Sequence, residues 1–518
     1  MKTSQFLCCC IILLSFTGFG QEYFPMGLEM DEAAYEQLSF TSENIQSSTG
    51  RKSMLSEIDL TLYCPEIRKQ GKIASCVGWA VGYGALTIER AIKNGWTNKA
   101  VISENASSAL FIYNQLSNGA CEKGISIINA LNLVQQQGNC LAYDFDHDIN
   151  DCSVSVTQDI QTKAKDNKIE DYLPLFRVKA TAAKKIKSVK AVLAQKKPVI
   201  IGMEVRKNFY QIKKGQSRWW PNIGNINYAG GHAMVVVGFD DAKFKKFGQT
   251  ATKNKEGGFK LMNSWGADWG ADGYIWVSYE DFAKFCRHGF AILLSDGNKM
   301  DFTTAESAAE TTESSVVATT TSHSQLSGTF QFKQYQGWDN GHVFESVPVQ
   351  IKDNTYRLNT TRQIGEKFQL QVENGFKAGY IYVFTIDDTG KGEIHFPRSA
   401  AYSSKFVGEN ESALILAESS LLTIPTTDKV LELTQIGTDQ LVVLFSVKKI
   451  VPDYLQFLVQ ELSVNRNQLA NTLHQILGKF MVPISDIIYQ KEQMGFEAST
   501  NSGGKIVPII LSVSVAEK

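Results

Sequence analysis

Residues 301 to 326, DFTTAESAAETTESSVVATTTSHSQL, hold little that a folded core could bury. A stretch so rich in Thr, Ser and Ala has a linker composition, and it divides the 518-residue chain into two unlike halves. That length is also too great for one ordinary core, so two or three folded units are expected. The N-terminal half mixes helical patterns at 77–93, 103–117 and 124–137 with later strands, PVIIGMEV, HAMVVVGF, FKLMNSW and GYIWVSY. Helices first and strands afterwards imply an α+β fold with a helical lobe and a strand-rich lobe. The C-terminal half reads as short strands, KFQLQVE, GYIYVFTID, ALILAE and QLVVLFSV, then two helical stretches, PDYLQFLVQEL and RNQLANTLHQILGKF, and a closing strand KIVPIILSVSV. The two halves are expected to fold separately.

The first twenty residues, MKTSQFLCCCIILLSFTGFG, place one lysine before an apolar run and small residues after it. This is the layout of a secretory signal peptide, and the run is too short for a membrane span. Cys8, Cys9 and Cys10 stand at the start of the run, where a lipid-anchoring cysteine would stand at its end, and belong to the leader. No later segment is long and apolar enough to cross a bilayer, so the mature chain is expected to be exported, periplasmic or secreted. Lys plus Arg (52) nearly cancels Asp plus Glu (53), so no net field draws nucleic acid or an anionic membrane.

Export directs the reading of the remaining cysteines, Cys64, Cys76, Cys121, Cys140, Cys152 and Cys286, because thiols pair in an oxidising compartment. If Cys76 stays free for chemistry, the other five cannot all pair within the chain. Cys140 and Cys152, flanking LAYDFDHDIND, form the preferred bridge; Cys64 with Cys121 comes second and leaves Cys286 over.

Cys76 lies in QGKIASCVGWAVGYGA, between a glutamine-glycine pair and the start of a helical pattern. A catalytic thiol needs a base, a group to orient that base, and donors for the oxyanion formed on attack. Of the seven histidines, His323 lies in the linker, His342, His395 and His474 in the other half, His147 in an acidic loop and His288 beside Arg287. His232 differs: in NYAGGHAMVVVGFDD two glycines permit close backbone approach and a strand then fixes the imidazole. Downstream, GGFKLMNSWGADWGADGYIWVSYEDF places Asn263 at a strand end, directly before Ser264 and Trp265. An amide oxygen there can accept from the imidazole N–H, and an indole can shield that bond from water.

These segments resemble the papain-like cysteine peptidases. The resemblance covers roughly residues 53 to 298 and rests on Gln70-Gly71, Cys76, GGHA and NSWGADWGADGY, in that order. It implies a two-lobed α+β peptidase fold, with a helical lobe and a β-barrel-like lobe. Carried over residue by residue, Cys76 is the nucleophile, His232 its base and then the acid, and Asn263 the orienting group. Gln70 and the backbone N–H of Cys76 hold the oxyanion, and Trp265 shields the His–Asn pair. A helix N-terminus and a nearby imidazolium both favour the thiolate. No cofactor and no metal are implied; the partner is a protein or peptide substrate.

The chain also departs from that family. Val77 stands where an aromatic residue is expected, with Trp79 two positions on, and Ile73 stands where many relatives carry a structural cysteine, so Cys121 lacks its usual partner. The segment before residue 52 is too short for the long helical inhibitory pro-segment of the best-known relatives, and reads either as a short removable arm or as a surface-packed stretch. DFDHDIND alternates acids like a calcium loop but lacks the turn glycine and the distal glutamate. SRWWP at 217–221 reads as cleft wall or as packing.

The C-terminal half resembles a bacterial domain of unknown function found appended to peptidases and other exported proteins, on its GYIYVF strand and the turn before IHFP. It shows no nucleophile–base pair and no metal-ligand spacing, so binding or assembly with an unknown partner is its expected role. The resulting layout is a signal peptide (1–20), a short N-terminal segment (21–52), a papain-like peptidase domain (53–298), a linker (299–326) and a β-rich accessory domain with two helices (327–518). The alternative is an exported binding or scaffold protein whose peptidase-like half is non-catalytic. The complete set Gln70, Cys76, His232 and Asn263 favours catalysis.

Overall fold

In the structure, a computed structural model that describes residues 24–42, 45–47, 55–222, 224–244, 256–295, 325–339 and 341–517, Cys76 opens a helical run. The run passes from Cys76–Gly78 through a wider π-helical stretch, Trp79–Leu86, into Thr87–Asn94, and Gly95 ends it in the left-handed conformation. Helices Ala109–Ser117 and Ile127–Gln137 lie in the same lobe. Ser108 and Ser126 cap them, their hydroxyls accepting from the backbone N–H of Phe111 and of Ile128 at 3.1 Å.

The strands of the N-terminal half are β1 (Ile45–Ser47), β2 (Glu57–Asp59), β3 (Ile169–Pro174), β4 (Val199–Arg206), β5 (Tyr228–Asp240), β6 (Gly258–Met262), β7 (Tyr274–Ser278) and β8 (Cys286–Leu294). Strands β2 to β8 form one seven-stranded sheet in the order β3-β8-β4-β5-β6-β7, with β2 paired to β5. Its centre is apolar on both faces: seven of the eight residues of β4 are buried, Glu204 being the exception. This is why PVIIGMEV reads as a continuous hydrophobic run instead of an alternating one.

Two glycines set the distance between the helical run and its neighbours. A Cβ on Gly78 would stand 2.3 Å from the carbonyl oxygen of Ala109, and one on Gly84 would stand 2.7 Å from a methyl of Val235 in β5. The sequence GWAVGYGA therefore lets one helix approach a second helix and a strand more closely than side chains would permit.

The C-terminal half is a sandwich of two sheets enclosing its own apolar core, which includes Phe330, Leu370, Val443 and Ile509. Helices Pro452–Val464 and Leu469–Leu477 pack outside it, as the sequence pattern indicates. Of the expected linker only Gln325 and Leu326 are described, and they open the strand Gln325–Trp338; residues 1–20, read as a signal peptide, lie outside the described residues. The halves have separate sheets but are not independent in space. Tyr380, Tyr382 and Leu455 belong to the core cluster that also holds the peptidase-like half. Lys448 pairs with Glu170 at 2.9 Å, Lys449 with Asp171 at 3.0 Å, and the Tyr380 hydroxyl donates to Asp171 at 3.3 Å.

The cysteine pairing expected from sequence is corrected here. Cys121 bonds Cys152, with Cα atoms 5.4 Å apart, while Cys64, Cys140 and Cys286 are free and buried. Cys140 is held inside the core by its neighbours: its carbonyl accepts from the Ser108 N–H at 2.9 Å, and Leu141 bridges Ser107. The acidic loop then carries Cys152 back to the turn at Cys121.

Gly78→Ala tests the close approach. Alanine is favoured in a helix by about 1 kcal/mol, but a methyl group driven against a backbone oxygen costs about 1–3 kcal/mol. The variant is expected to melt below the wild type in a thermal unfolding scan; a higher midpoint would show that propensity outweighs the contact.

Candidate active site

Gln70 precedes Gly71, whose positive φ of 75° turns the chain towards the start of the helix. The Gln70 side chain is wholly buried and clamped at its oxygen: Oε1 accepts from Ser264 Oγ at 2.9 Å and from Trp265 Nε1 at 3.2 Å. That fixes which end of the amide faces the cleft. Its Nε2 donates to the carbonyls of Ile73 (3.1 Å) and Pro25 (3.2 Å).

His232 lies in β5 opposite Met203 of β4, directly after Gly230 and Gly231 of the same strand. Its Nε2 is 2.8 Å from Asn263 Oδ1, just past the end of β6. An amide oxygen only accepts, so Nε2 carries the hydrogen and Nδ1 is left with a free lone pair; Nδ1 has no protein partner. The Trp265 ring is 5.2 Å from the imidazole and that of Phe209 is 5.9 Å, and both indole and phenyl are buried. Burial pulls His232 down to about 4, against the Asn263 hydrogen bond that favours the charged form.

Cys76 is wholly buried at the helix start. Burial pushes its thiol up to about 11, opposed by the backbone N–H groups of Ala233 and Gly27 and of Val77 and Cys76 itself. Ala233, whose backbone favours the thiolate, is the residue directly after His232. The sequence implies a thiolate favoured by the helix and an imidazolium; in the described state both groups are held neutral, and burial is the reason.

A segment for which the sequence reading left two alternatives contributes to that burial. Residues 24 to 30 lie in the cleft. Phe24 stacks on Trp265 with ring centres 5.3 Å apart, and its carbonyl accepts from the Tyr210 hydroxyl at 3.0 Å. Leu28 N–H donates to Gly231 O at 3.2 Å, Ile125 N–H donates to Gly27 O at 3.0 Å, and Glu29 N–H donates to Ile125 O at 3.1 Å. A Cβ on Gly27 would stand 1.9 Å from the Ala74 oxygen, so glycine is required at this closest approach.

All five sequence-derived residues, Gln70, Cys76, His232, Asn263 and Trp265, therefore converge on one cleft. Sequence reasoning missed Ser264, which clamps Gln70, and Phe209 and Tyr210, which wall the imidazole and the arm. Ser264 was legible only as a neighbour in NSW; nothing in KNFY marks the other two. Trp219 turns out to be packing, edge-on to Phe209 and bonded through Nε1 to Asn208 Oδ1 at 3.1 Å, whereas Trp220 is partly exposed against Phe244. His288 is a core residue stacked on Tyr35 at 4.2 Å.

Buried imidazoles make stability depend on pH. His232, His288 and His395 are each lowered from 6.5 to about 4 by burial. Between those values the unfolded chain binds protons that the folded one refuses, so stability falls as pH drops from 6.5 towards 4. Asp439, raised by burial to about 6, acts in the opposite sense as a single group. The urea midpoint is expected to be lower at pH 5 than at pH 7; an equal or higher midpoint at pH 5 would contradict the buried, neutral state of these rings.

Residues 57–288 match the family model of papain family cysteine proteases. The gamete and mating-type specific protein A of Dictyostelium discoideum is 28% identical over 239 residues, which cover 45% of this chain and 45% of that protein. An uncharacterized peptidase C1-like protein of Acanthamoeba polyphaga mimivirus is 26% identical over 238 residues, 44% of this chain and 65% of that protein. The chain thus spans about half to two thirds of the length of these relatives. Among solved structures, xylellain, a cysteine protease from Xylella fastidiosa, aligns with a TM-score of 0.41 at 20% identity, covering 53% of this chain and 96% of that one. The N-terminal half carries a papain-family cysteine protease domain with the papain-like arrangement of helices and sheet.

Proposed function

We propose that this protein is an exported cysteine peptidase acting through Cys76, His232 and Asn263, with Gln70 as oxyanion donor. The observation that carries the reading is the His232 ring, held through Nε2 by Asn263 at 2.8 Å while the buried Nδ1 has no partner. A nitrogen so placed, in the same cleft as the Cys76 thiol, is the group to take the thiol proton as sulfur attacks a peptide carbonyl, and to return it to the leaving amine. Gln70 Nε2, oriented by Ser264 and Trp265, is already donating to a peptide carbonyl, that of Pro25. The same donor would meet the developing oxyanion of a substrate.

Two further elements belong to this reading. The Cys121–Cys152 disulfide and the signal-like residues 1–20 fit an oxidising, extracellular compartment. The separate sheets support a domain division with 53–298 for catalysis and 327–518 for an accessory module that binds a partner.

The test is peptide hydrolysis by full-length variants. Cys76→Ala and His232→Ala are each expected to lower kcat/KM by at least about 10³-fold. Asn263→Ala falls less, because it orients the base and moves no proton. Gln70→Ala is expected to lower kcat by roughly 10²-fold with little change in KM. Undiminished turnover in Cys76→Ala would sink the assignment and leave the scaffold reading. A raised KM with unchanged kcat in Gln70→Ala would make that residue a ground-state contact.

A further inference from the structure

We propose that residues 24–42 and 45–47 form a clasp over the proposed catalytic cleft and that the C-terminal module holds the clasp shut. Three successive grips lie along this one segment. The first is the cleft itself, where Phe24, Pro25, Gly27 and Leu28 meet Trp265, Gln70, Ala74 and Gly231. The second is the helix Glu32–Glu36 on the peptidase flank. Its Tyr35 is fully buried, the hydroxyl donating to Phe176 O at 2.8 Å and accepting from Gly289 N–H at 3.1 Å, while Arg287 pairs with Glu32 at 2.5 Å and Arg177 with Glu36 at 3.0 Å.

The hydrogen bonds of the third grip come from the C-terminal module, while Arg177 of the peptidase half lies over the Phe40 ring at 4.6 Å. Phe40 N–H donates to Asn410 O at 2.9 Å and Ser412 N–H donates to Phe40 O at 2.8 Å. Asn410 Nδ2 donates to Gln37 O at 2.8 Å, Ser39 Oγ donates to Asn410 Oδ1 at 3.0 Å, and Ser42 Oγ donates to Glu411 Oε1 at 2.6 Å. Glu411 is itself fixed by Arg398 at 2.7 Å. Strand β1 then pairs antiparallel with the strand Ser420–Ile424 and forms the edge of a module sheet.

The module is anchored to the peptidase half separately, through Lys448 with Glu170 and Lys449 with Asp171. Its hold on residues 37–42 and 45–47 therefore keeps the arm close to the cleft, raising the effective concentration of the plug. A short arm can close the cleft because the second domain supplies additional purchase. Whatever loosens residues 410–424 also weakens the plug at Cys76.

The readout is alkylation of Cys76 by iodoacetamide in the native full-length protein, followed by peptide mass spectrometry against Cys64, Cys140 and Cys286. This measures opening of the clasp without requiring turnover, so it is separable from the peptidase reading, on which only the consequence for activity rests. The double variant Ser42→Ala/Asn410→Ala removes three side-chain hydrogen bonds of the third grip and touches no catalytic group. It is expected to raise the Cys76 rate about tenfold with the other three thiols unchanged. Gly27→Ala, which obstructs the plug directly, is expected to raise it as well. A rise in Gly27→Ala alone would show that the plug does not feel the module and would overturn the proposal. No rise in either variant would overturn the plug itself, and a rise at all four cysteines would mean general loosening and overturn it too. Faster Cys76 labelling without any hydrolysis would uphold the clasp and count against the peptidase.

Discussion

The approach of the Cys76 helical run to strand β5 is the contact on which the rest of the molecule depends. Gly84 permits it by leaving room for Val235, and Gly78 permits the matching approach to Ala109 on the other side. With the helix start so placed, the Ala233 backbone favours the Cys76 thiolate, and His232 is one residue away on the same strand. Strand β5 is held between β4 and β6, so its register is fixed on both edges. A slip of one residue would turn His232 to the opposite face. Asn263, at the end of β6, inherits its position from the same pairing.

Burial imposes a tension on this site. A thiol and an imidazole can exchange a proton usefully only if the charged pair is accessible, yet desolvation disfavours both charged forms. In this arrangement desolvation wins: it raises the Cys76 thiol to about 11 and lowers the His232 imidazole to about 4, each towards its neutral form. The arm contributes to that desolvation, since Gly27 and Leu28 lie against the thiol and the Gly231 segment. On the clasp proposal, withdrawal of the arm would admit solvent or substrate and so lower the desolvation that disfavours an ion pair.

The residues proposed for catalysis could be singled out in the sequence because each sits in a local context with a physical reason: a thiol at a helix start, a histidine after paired glycines, an asparagine at a strand end. The disulfide was not, because pairing depends on where the loop 141–151 returns, and Cys140 is drawn into the core before it can meet Cys152. Strand β3 also escaped notice. Its sequence IEDYLP carries Glu170 and Asp171 in mid-strand, charges that make sense only once Lys448 and Lys449 of the distant module are beside them. The arm stayed ambiguous for a similar reason: Gly27 and Tyr35 acquire meaning from Ala74, Phe176 and Gly289, partners remote in sequence.

A covalent intermediate would test the central claim most directly. The full-length protein is incubated with a peptide ester, quenched in acid and mapped by mass spectrometry for an acyl thioester. One acyl group on Cys76, absent when His232 is replaced by alanine, is the expected result. Acylation at Cys64, Cys140 or Cys286, or equal acylation of Cys76 without His232, would contradict a nucleophile activated by that histidine.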